Sequence, residues 1–261
     1  MTILTGATLS DAGIDAVALK PSEVDLTRAH RLAVETLTVD YEGRDHHPDP
    51  GVLTDLAEQF DVRATVPVRA DGFDPFGDDS LRSSLPPDVS EVLVAGNPAY
   101  LTESERKRAI APRLETARTD ATDPWVGTEG IERIALAVGG TQFDLLSETT
   151  IRDVRALRAA GFEDDLAVYA PTVLSEDDDA VLDAVGPYAA RRRRVRNALP
   201  KNTPHDSSSR GRARETLLAA CHEYALVGDA DGIGDRVGRL HEAGVDHVVS
   251  YPARGLDPVL E

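Results

Sequence analysis

The segment Tyr224–Pro252, YALVGDADGIGDRVGRLHEAGVDHVVSYP, constrains the fold more than any other stretch of this chain. It reads as a short apolar strand, a glycine turn, an amphipathic helix and a second strand. Gly228 releases the first strand, and Asp229 or Asp231 can cap the helix by accepting from its free N–H groups. Ile233, Val237 and Leu240 recur at helical spacing and form one buried stripe. Gly244 stands where a helix ends in a left-handed residue. Val245, His247, Val248 and Val249 then make a nearly continuous apolar strand, the kind buried on both faces of a parallel sheet.

The same alternation of short apolar strands and helices runs through the chain, which favours a parallel sheet. The strands fall at Ala16–Lys20, Glu35–Asp40, Arg63–Arg69, Glu91–Gly96, Pro124–Gly127, Phe143–Ser147, Leu166–Ala170 and Val245–Tyr251. Helices are expected at Leu26–Val34, Pro50–Phe60, Thr102–Ala121, Ile131–Gly139, Thr149–Gly161, Asp178–Leu199, Arg212–Glu223 and Gly232–Gly244. Eight strands in 261 residues close most simply into a single (β/α)8 barrel, with an open doubly wound sheet as the alternative. Only ARGLDPVLE follows the last strand, so the usual closing helix is expected to be short or absent. The polar stretch Lys201–Arg212, KNTPHDSSSRGR, reads as a flexible loop.

Forty-six acidic residues against 28 basic ones give a net charge of −18, and lysine occurs only at positions 20, 107 and 201. Acidity of this extent reads as whole-surface adaptation to a high-salt cytoplasm, where screening weakens self-repulsion. It argues against nucleic acid or an anionic membrane as the main partner. The single cysteine, Cys221, cannot form an internal disulfide and reads as a buried small residue in a helix. No apolar run approaches 18 residues, so a soluble, cytoplasmic protein is expected.

Two stretches carry a family resemblance. Tyr224–Pro252, with its glycine turn, helix and AGVDHVV strand, and Pro124–Ser147, PWVGTEGIERIALAVGGTQFDLLS, resemble the C-terminal half of the bacterial luciferase-like family. The likeness is to the branch dependent on the deazaflavin coenzyme F420, which includes methylenetetrahydromethanopterin reductase, and this chain reads as a divergent, haloarchaeal-type member. DLAVYAPTVLSEDDDAVLDAVGPYAARRR is similar to the family's next strand and helix. The resemblance implies a luciferase-like barrel, hydride transfer between F420 or FMN and a small substrate, and homodimerisation. It also implies that the turn Gly127–Gly130 holds the cofactor phosphate through backbone N–H groups, with Gly127, Thr128 and Gly130 as contacts. The strand ends would gather Lys20, Asp40, Arg69, Asn97, Gly127, Ser147, Pro171 and Tyr251 at one mouth. Asn97, Ser147 and Tyr251 would then line the cofactor, and Asp40 or Tyr41 would lie near the reacting face.

Other readings stay open beside this one. Glu129 stands inside the glycine turn and Ile131 replaces the usual proline, so the turn can equally serve strand-to-helix packing. A non-catalytic barrel acting as a binding or interaction protein follows from that alternative. Arg44-Asp45-His46-His47-Pro48-Asp49 has metal-binding residue types, but loop neighbours seldom converge on one ion, and a solvated turn is the default. Arg191–Arg194 with Arg196, Lys201, Arg210, Arg212 and Arg214 forms a basic island, read either as pairing with Asp177–Asp179 and other carboxylates or as a contact for a phosphate or carboxylate tail. His247 is either an interior-facing group or a satisfied core histidine. No nucleophile elbow, phosphate-binding Walker loop or zinc motif occurs in the sequence.

Overall fold

The structure is a computed structural model that describes residues 9–10 and 12–260. Its strands are β1 (Ala16–Leu19), β2 (Thr36–Val39), β3 (Asp61–Pro67), β4 (Val89–Val94), β5 (Trp125–Gly127), β6 (Gln142–Leu145), β7 (Leu166–Leu174), β8 (Leu226–Gly228) and β9 (His247–Pro252). β1 through β7 pair in sequence, each parallel to the next, and β9 fits between β7 and β1. The ring is therefore closed, an eight-stranded parallel barrel rather than an open sheet. β8 opens the Tyr224–Pro252 unit but lies outside the ring, pairing only with the far end of β7 at Thr172–Leu174. Nine residues make β7 long enough to serve the barrel below and β8 above.

Alternation along the strands sorts side chains between two compartments. Val17, Leu19, Leu37, Val39, Val62, Ala64, Val168 and Val248 point outward into the main aliphatic core beneath the helices. Ala16, Ala18, Val92, Trp125, Phe143, Ala167, Tyr169 and Val249 point inward and fill the barrel. Fully burying each larger aliphatic side chain contributes about 1.5–3 kcal/mol.

The outer helices are α1 (Pro50–Ala57), α2 (Glu103–Arg106), α3 (Ala111–Asp120), α4 (Glu132–Val138), α5 (Thr150–Ala159) and α9 (Ala230–Ala243). In α9, Asp229 accepts from Gly232 N–H, Ile233, Val237 and Leu240 are buried, and Gly244 closes the helix in the left-handed region. Thr102–Ala121 is not one helix. Thr102 and Glu105 form a capping box that fixes α2, and Pro112 then sits in the first turn of a separate α3, where a missing N–H costs nothing. Leu26–Arg31 is a 3-10 helix, and among the described residues β9 is followed by a 3-10 turn at Asp257–Val259.

Between β7 and α9 the chain inserts α6 (Asp178–Ala190), α7 (Arg193–Ala198) and α8 (Gly211–Tyr224). This insertion has its own apolar cluster, including Val181, Leu182, Val185, Leu217, Ala220 and the buried Cys221. The expected single helix Asp178–Leu199 breaks at Arg191–Arg192, four residues after Pro187, and Arg192 adopts an extended backbone. Nor is Lys201–Arg212 a free loop. Ser207 N–H donates to Asp183, and a Cβ on Gly186 would stand 2.2 Å from the carbonyl oxygen of His205, so glycine there lets the loop lie directly on α6.

Candidate active site at the barrel mouth

The inward positions at the C-terminal ends of β1 and β2 place Lys20 and Asp40 at the mouth, the end where (β/α)8 barrels carry their chemistry. Tyr169, inward on β7 and almost fully buried, donates its hydroxyl to Asp40 Oδ2 at 3.3 Å, and Thr65 Oγ1 lies 3.5 Å from Oδ1. Burial pushes the Asp40 carboxyl up to about 7, with the charge of Glu42 in the same direction; Lys20 and the two hydroxyl donors pull against it. A carboxyl poised near neutrality gives or takes a proton with little cost in either direction. The Tyr169 hydroxyl is itself driven well above its ordinary value by burial and by Asp40, so it remains a donor.

Aromatic rings run the length of the barrel from this point. Tyr251 stacks on Tyr169 with centroids 6.0 Å apart, Tyr169 meets Phe143 edge-on, and Phe143 stacks on Trp125. Above the stack, Lys20 Nζ lies 3.9 Å from the Tyr251 ring centroid and 3.5 Å from Glu23, whose other oxygen accepts from the Tyr251 hydroxyl. Glu42 accepts from Ser22 and faces the Tyr100 hydroxyl. At the opposite end, His247 stacks on Trp125 at 5.4 Å and pairs with Asp15 at 2.8 Å. It faces the interior, but at the floor of the barrel, away from the mouth.

The other expected contacts are spread around the rim. Tyr41 turns outward, edge-on to Phe73 and near Tyr100, so only Asp40 of that pair enters the barrel. Asn97 is exposed and caps its own loop by accepting from Ala99 N–H. The Ser147 hydroxyl lies among Thr149 and Thr150 at the start of α5. Arg69 gives its guanidinium to the carbonyls of Ala95, Gly96 and Arg106, a structural use.

In the glycine turn, a Cβ on Gly127 would stand 2.7 Å from Val94 Cγ1, so that glycine permits close strand packing. The Thr128 hydroxyl donates to Asp144 at 2.7 Å. Gly130, at φ +73°, has open space around it, and its N–H reaches Glu132 Oε1 at 3.3 Å. Glu129, Glu132 and Asp144 thus surround the turn with negative charge, and α4 beyond it has only seven residues. The mouth presents the Tyr251 ring and the Asp40 carboxyl; the carboxylate-ringed turn alone does not fit a phosphate.

Sequence reading missed Tyr169, Glu23 and Glu42, and it missed that α6 ends over the mouth. The charges of Glu129 and Asp144 act on the Tyr188 hydroxyl, and Arg194 pairs with Glu148 beyond β6. Two-residue alternation through Ala167, Tyr169 and Pro171 was the available signal for Tyr169. Beside the mouth, an open recess of about 340 Å3 is lined by residues including Leu26, His46, His47 and Asp49. Among the described residues no group of three or more His, Cys, Asp or Glu could hold a metal ion, and no helix is long and apolar enough to cross a membrane.

Two solved structures share this architecture. One is an F420-dependent secondary alcohol dehydrogenase in complex with an F420–acetone adduct, at TM-score 0.57 and 12% identity over 95% of this chain and 97% of that one. The other is the coenzyme F420-dependent tetrahydromethanopterin reductase from Methanopyrus kandleri, at TM-score 0.64 and 14% identity over 94% of each chain. At these identities the likeness establishes the fold, a (β/α)8 barrel, and it spans nearly the whole chain rather than the C-terminal half alone. No curated protein matches the sequence. The model of a family of unknown function, DUF7388, matches residues 9–259, and the chain belongs to that family.

Proposed function

We propose that this protein is an F420- or FMN-dependent oxidoreductase that transfers a hydride to or from a small substrate at the barrel mouth. The observation that carries this reading is Asp40: a carboxyl raised to about 7 at a β-strand's C-terminal end, held by Tyr169 and flanked by Lys20. When bound, such a cofactor supplies the hydride chemistry, while the protein orients the partners and manages the proton. Asp40 holds the proton exchanged with the substrate oxygen, and Tyr169 fixes the carboxyl's position. Tyr251, stacked on Tyr169, offers an aromatic wall, and Asn97, Ser147, Thr128 and Gly130 lie along the rim for polar contact. The two F420-dependent structural neighbours support the choice of cofactor class by fold analogy.

Titration with F420 and with FMN tests the reading. Quenching of cofactor fluorescence on saturable binding is expected, and no binding of either cofactor by fluorescence or calorimetry sinks it. The carboxylates around the glycine turn favour a second reading, a barrel that binds without catalysis. In that case a cofactor or small molecule binds, yet no alcohol or carbonyl substrate ever changes the cofactor's absorbance.

A further inference from the structure

Five of the 28 basic residues of this acidic chain fall within six consecutive positions, Arg191–Arg194 and Arg196. The break between α6 and α7 carries them to the barrel mouth instead of spreading them around one continuous helix. Arg192 anchors the segment. Its guanidinium lies 4.6 Å from the Tyr188 ring centroid and 5.4 Å from that of Tyr224, it bonds the Tyr188 hydroxyl, and its buried Nε has no partner. With Arg192 held between two rings, its neighbours are directed outward, and both Arg191 and Arg194 are exposed. Arg194 reaches across to Glu148 beyond β6, and the charge of Arg191 acts on Tyr100 beyond β4. The segment thus spans the side of the mouth that carries the loops after β4, β5 and β6, next to the acidic glycine turn.

We propose that Arg191 and Arg194 form an oxyanion site for the phosphate monoester of the mouth's ligand, with Glu148 occupying Arg194 until that phosphate arrives. Guanidinium groups recognise phosphate through paired N–H donors, and a dianion outcompetes a single exposed carboxylate. The site orients the ligand: phosphate at the insertion, reacting end toward Asp40. The identity of that ligand as FMN, whose phosphate is a monoester, rests on the function proposed above, but the phosphate site does not.

The test has two arms, run at fixed ionic strength because screening weakens exposed charge pairs. In the first, inorganic pyrophosphate raises the melting temperature of the wild-type protein relative to a chloride control. The rise is absent in the doubly substituted R191A/R194A protein and larger in the Glu148→Gln variant. No rise in the wild type, or an equal rise in the double variant, overturns the proposal. In the second arm, FMN binds at least tenfold tighter than riboflavin, which lacks only the phosphate. The double substitution erases that ratio while leaving riboflavin affinity unchanged; an unchanged ratio overturns the phosphate site. Failure of both flavins and of F420 to bind defeats the cofactor reading, and the pyrophosphate arm still decides this one.

Discussion

The Tyr169 hydroxyl donates to Asp40 Oδ2 at 3.3 Å, tying β7 to β2 across the width of the barrel. The same burial shifts both groups upward: the tyrosine hydroxyl goes well above its ordinary value and the carboxyl is brought to about 7. The pair therefore supplies one proton whose position pH controls, next to a cationic Lys20 and an aromatic wall. Such an arrangement suits a reaction in which a substrate oxygen gains or loses a proton as its carbon gains or loses hydride.

Replacing Asp40 with asparagine keeps the shape and removes the proton. Turnover in the D40N protein is expected to fall by about 10²–10⁴-fold, the usual span for a general acid or base, with cofactor affinity little changed. The inflection near neutrality in the wild-type rate profile disappears with it. Stopped-flow absorbance across pH 5–9 reads both effects, and a D40N variant that keeps the wild-type profile removes Asp40 from the mechanism. Tyr169→Phe deletes a donor to the ionised form, so the inflection moves to higher pH.

Asp40 also predicts a stability effect of opposite sign. Its carboxyl is raised above the unfolded value, so ionisation opposes folding at every pH above about 4, and the opposition grows until pH passes about 7. Relieving it with D40N stabilises the protein at pH 8, by on the order of 1–3 kcal/mol, and changes little at pH 4. Urea denaturation at the two pH values checks this; equal shifts at both contradict a buried, raised carboxyl. An activity-destroying change that stabilises the fold is the expected mark of a functional group placed against its own solvation.

The barrel was legible in the sequence because strand and helix periodicity repeat eight times, and each strand's apolar run coincides with a real β-strand. What periodicity could not show was which way a short strand faces. Asp40 and Tyr41 were equivalent candidates in sequence, yet their opposite faces put one in the mouth and the other against Phe73. Gly127 and Gly130 were likewise one motif, and only packing separates the crowded glycine from the open one. Arg191–Arg194 read as an island of charge; its relation to the mouth depends on the helix break at Arg192 and on ring partners 4 and 32 residues away. Those relations are tertiary, and local patterning does not encode them.

At the barrel floor, His247 and Asp15 join β9 to the start of β1, with Val248 N–H donating to the second carboxylate oxygen at 3.0 Å. The hydrogen bond that His247 donates to Asp15 raises His247; burial pushes Asp15 up, but the bonds it accepts from His247 and Val248 together outweigh that and lower it. The histidine's contribution is complete below about pH 6.5 and lost as pH rises through its folded value. The carboxylate's is complete above about pH 4 and lost on acidification. The pair therefore stabilises most between those limits. His247→Gln costs about 1 kcal/mol near pH 5.5, discounted because both side chains are about a third exposed, and clearly less at pH 9. A cost that does not vary with pH refutes the linkage.

The two glycines of the turn separate packing from binding. Gly127→Ala drives a methyl into Val94 Cγ1 and is expected to destabilise by about 1–3 kcal/mol, the range for overpacking; Val94→Ala in the same chain restores part of it. Gly130→Ala meets no neighbour and carries only the left-handed backbone penalty, about 1–2 kcal/mol. If the rim at Gly130 touches the ligand, a bulkier residue there weakens binding with no further loss of melting temperature. Binding that follows stability in both variants leaves Gly130 a purely structural turn.

The net charge of −18 makes the last prediction. Uncompensated repulsion of this size opposes the compact state, and 1 M salt shortens its range to about 3 Å. Melting temperature should climb steadily between 0.1 and 2 M KCl, and reach the same value in NaCl if screening is the cause. Protonation offers an independent way to relieve the same repulsion, so the salt dependence should shrink as pH approaches the pI of about 4.7. A melting temperature that is flat or falling with salt at pH 7.5 rules out high-salt adaptation as the reason for the acidic surface. Circular dichroism melts across the two-dimensional grid of salt and pH decide it without reference to any ligand.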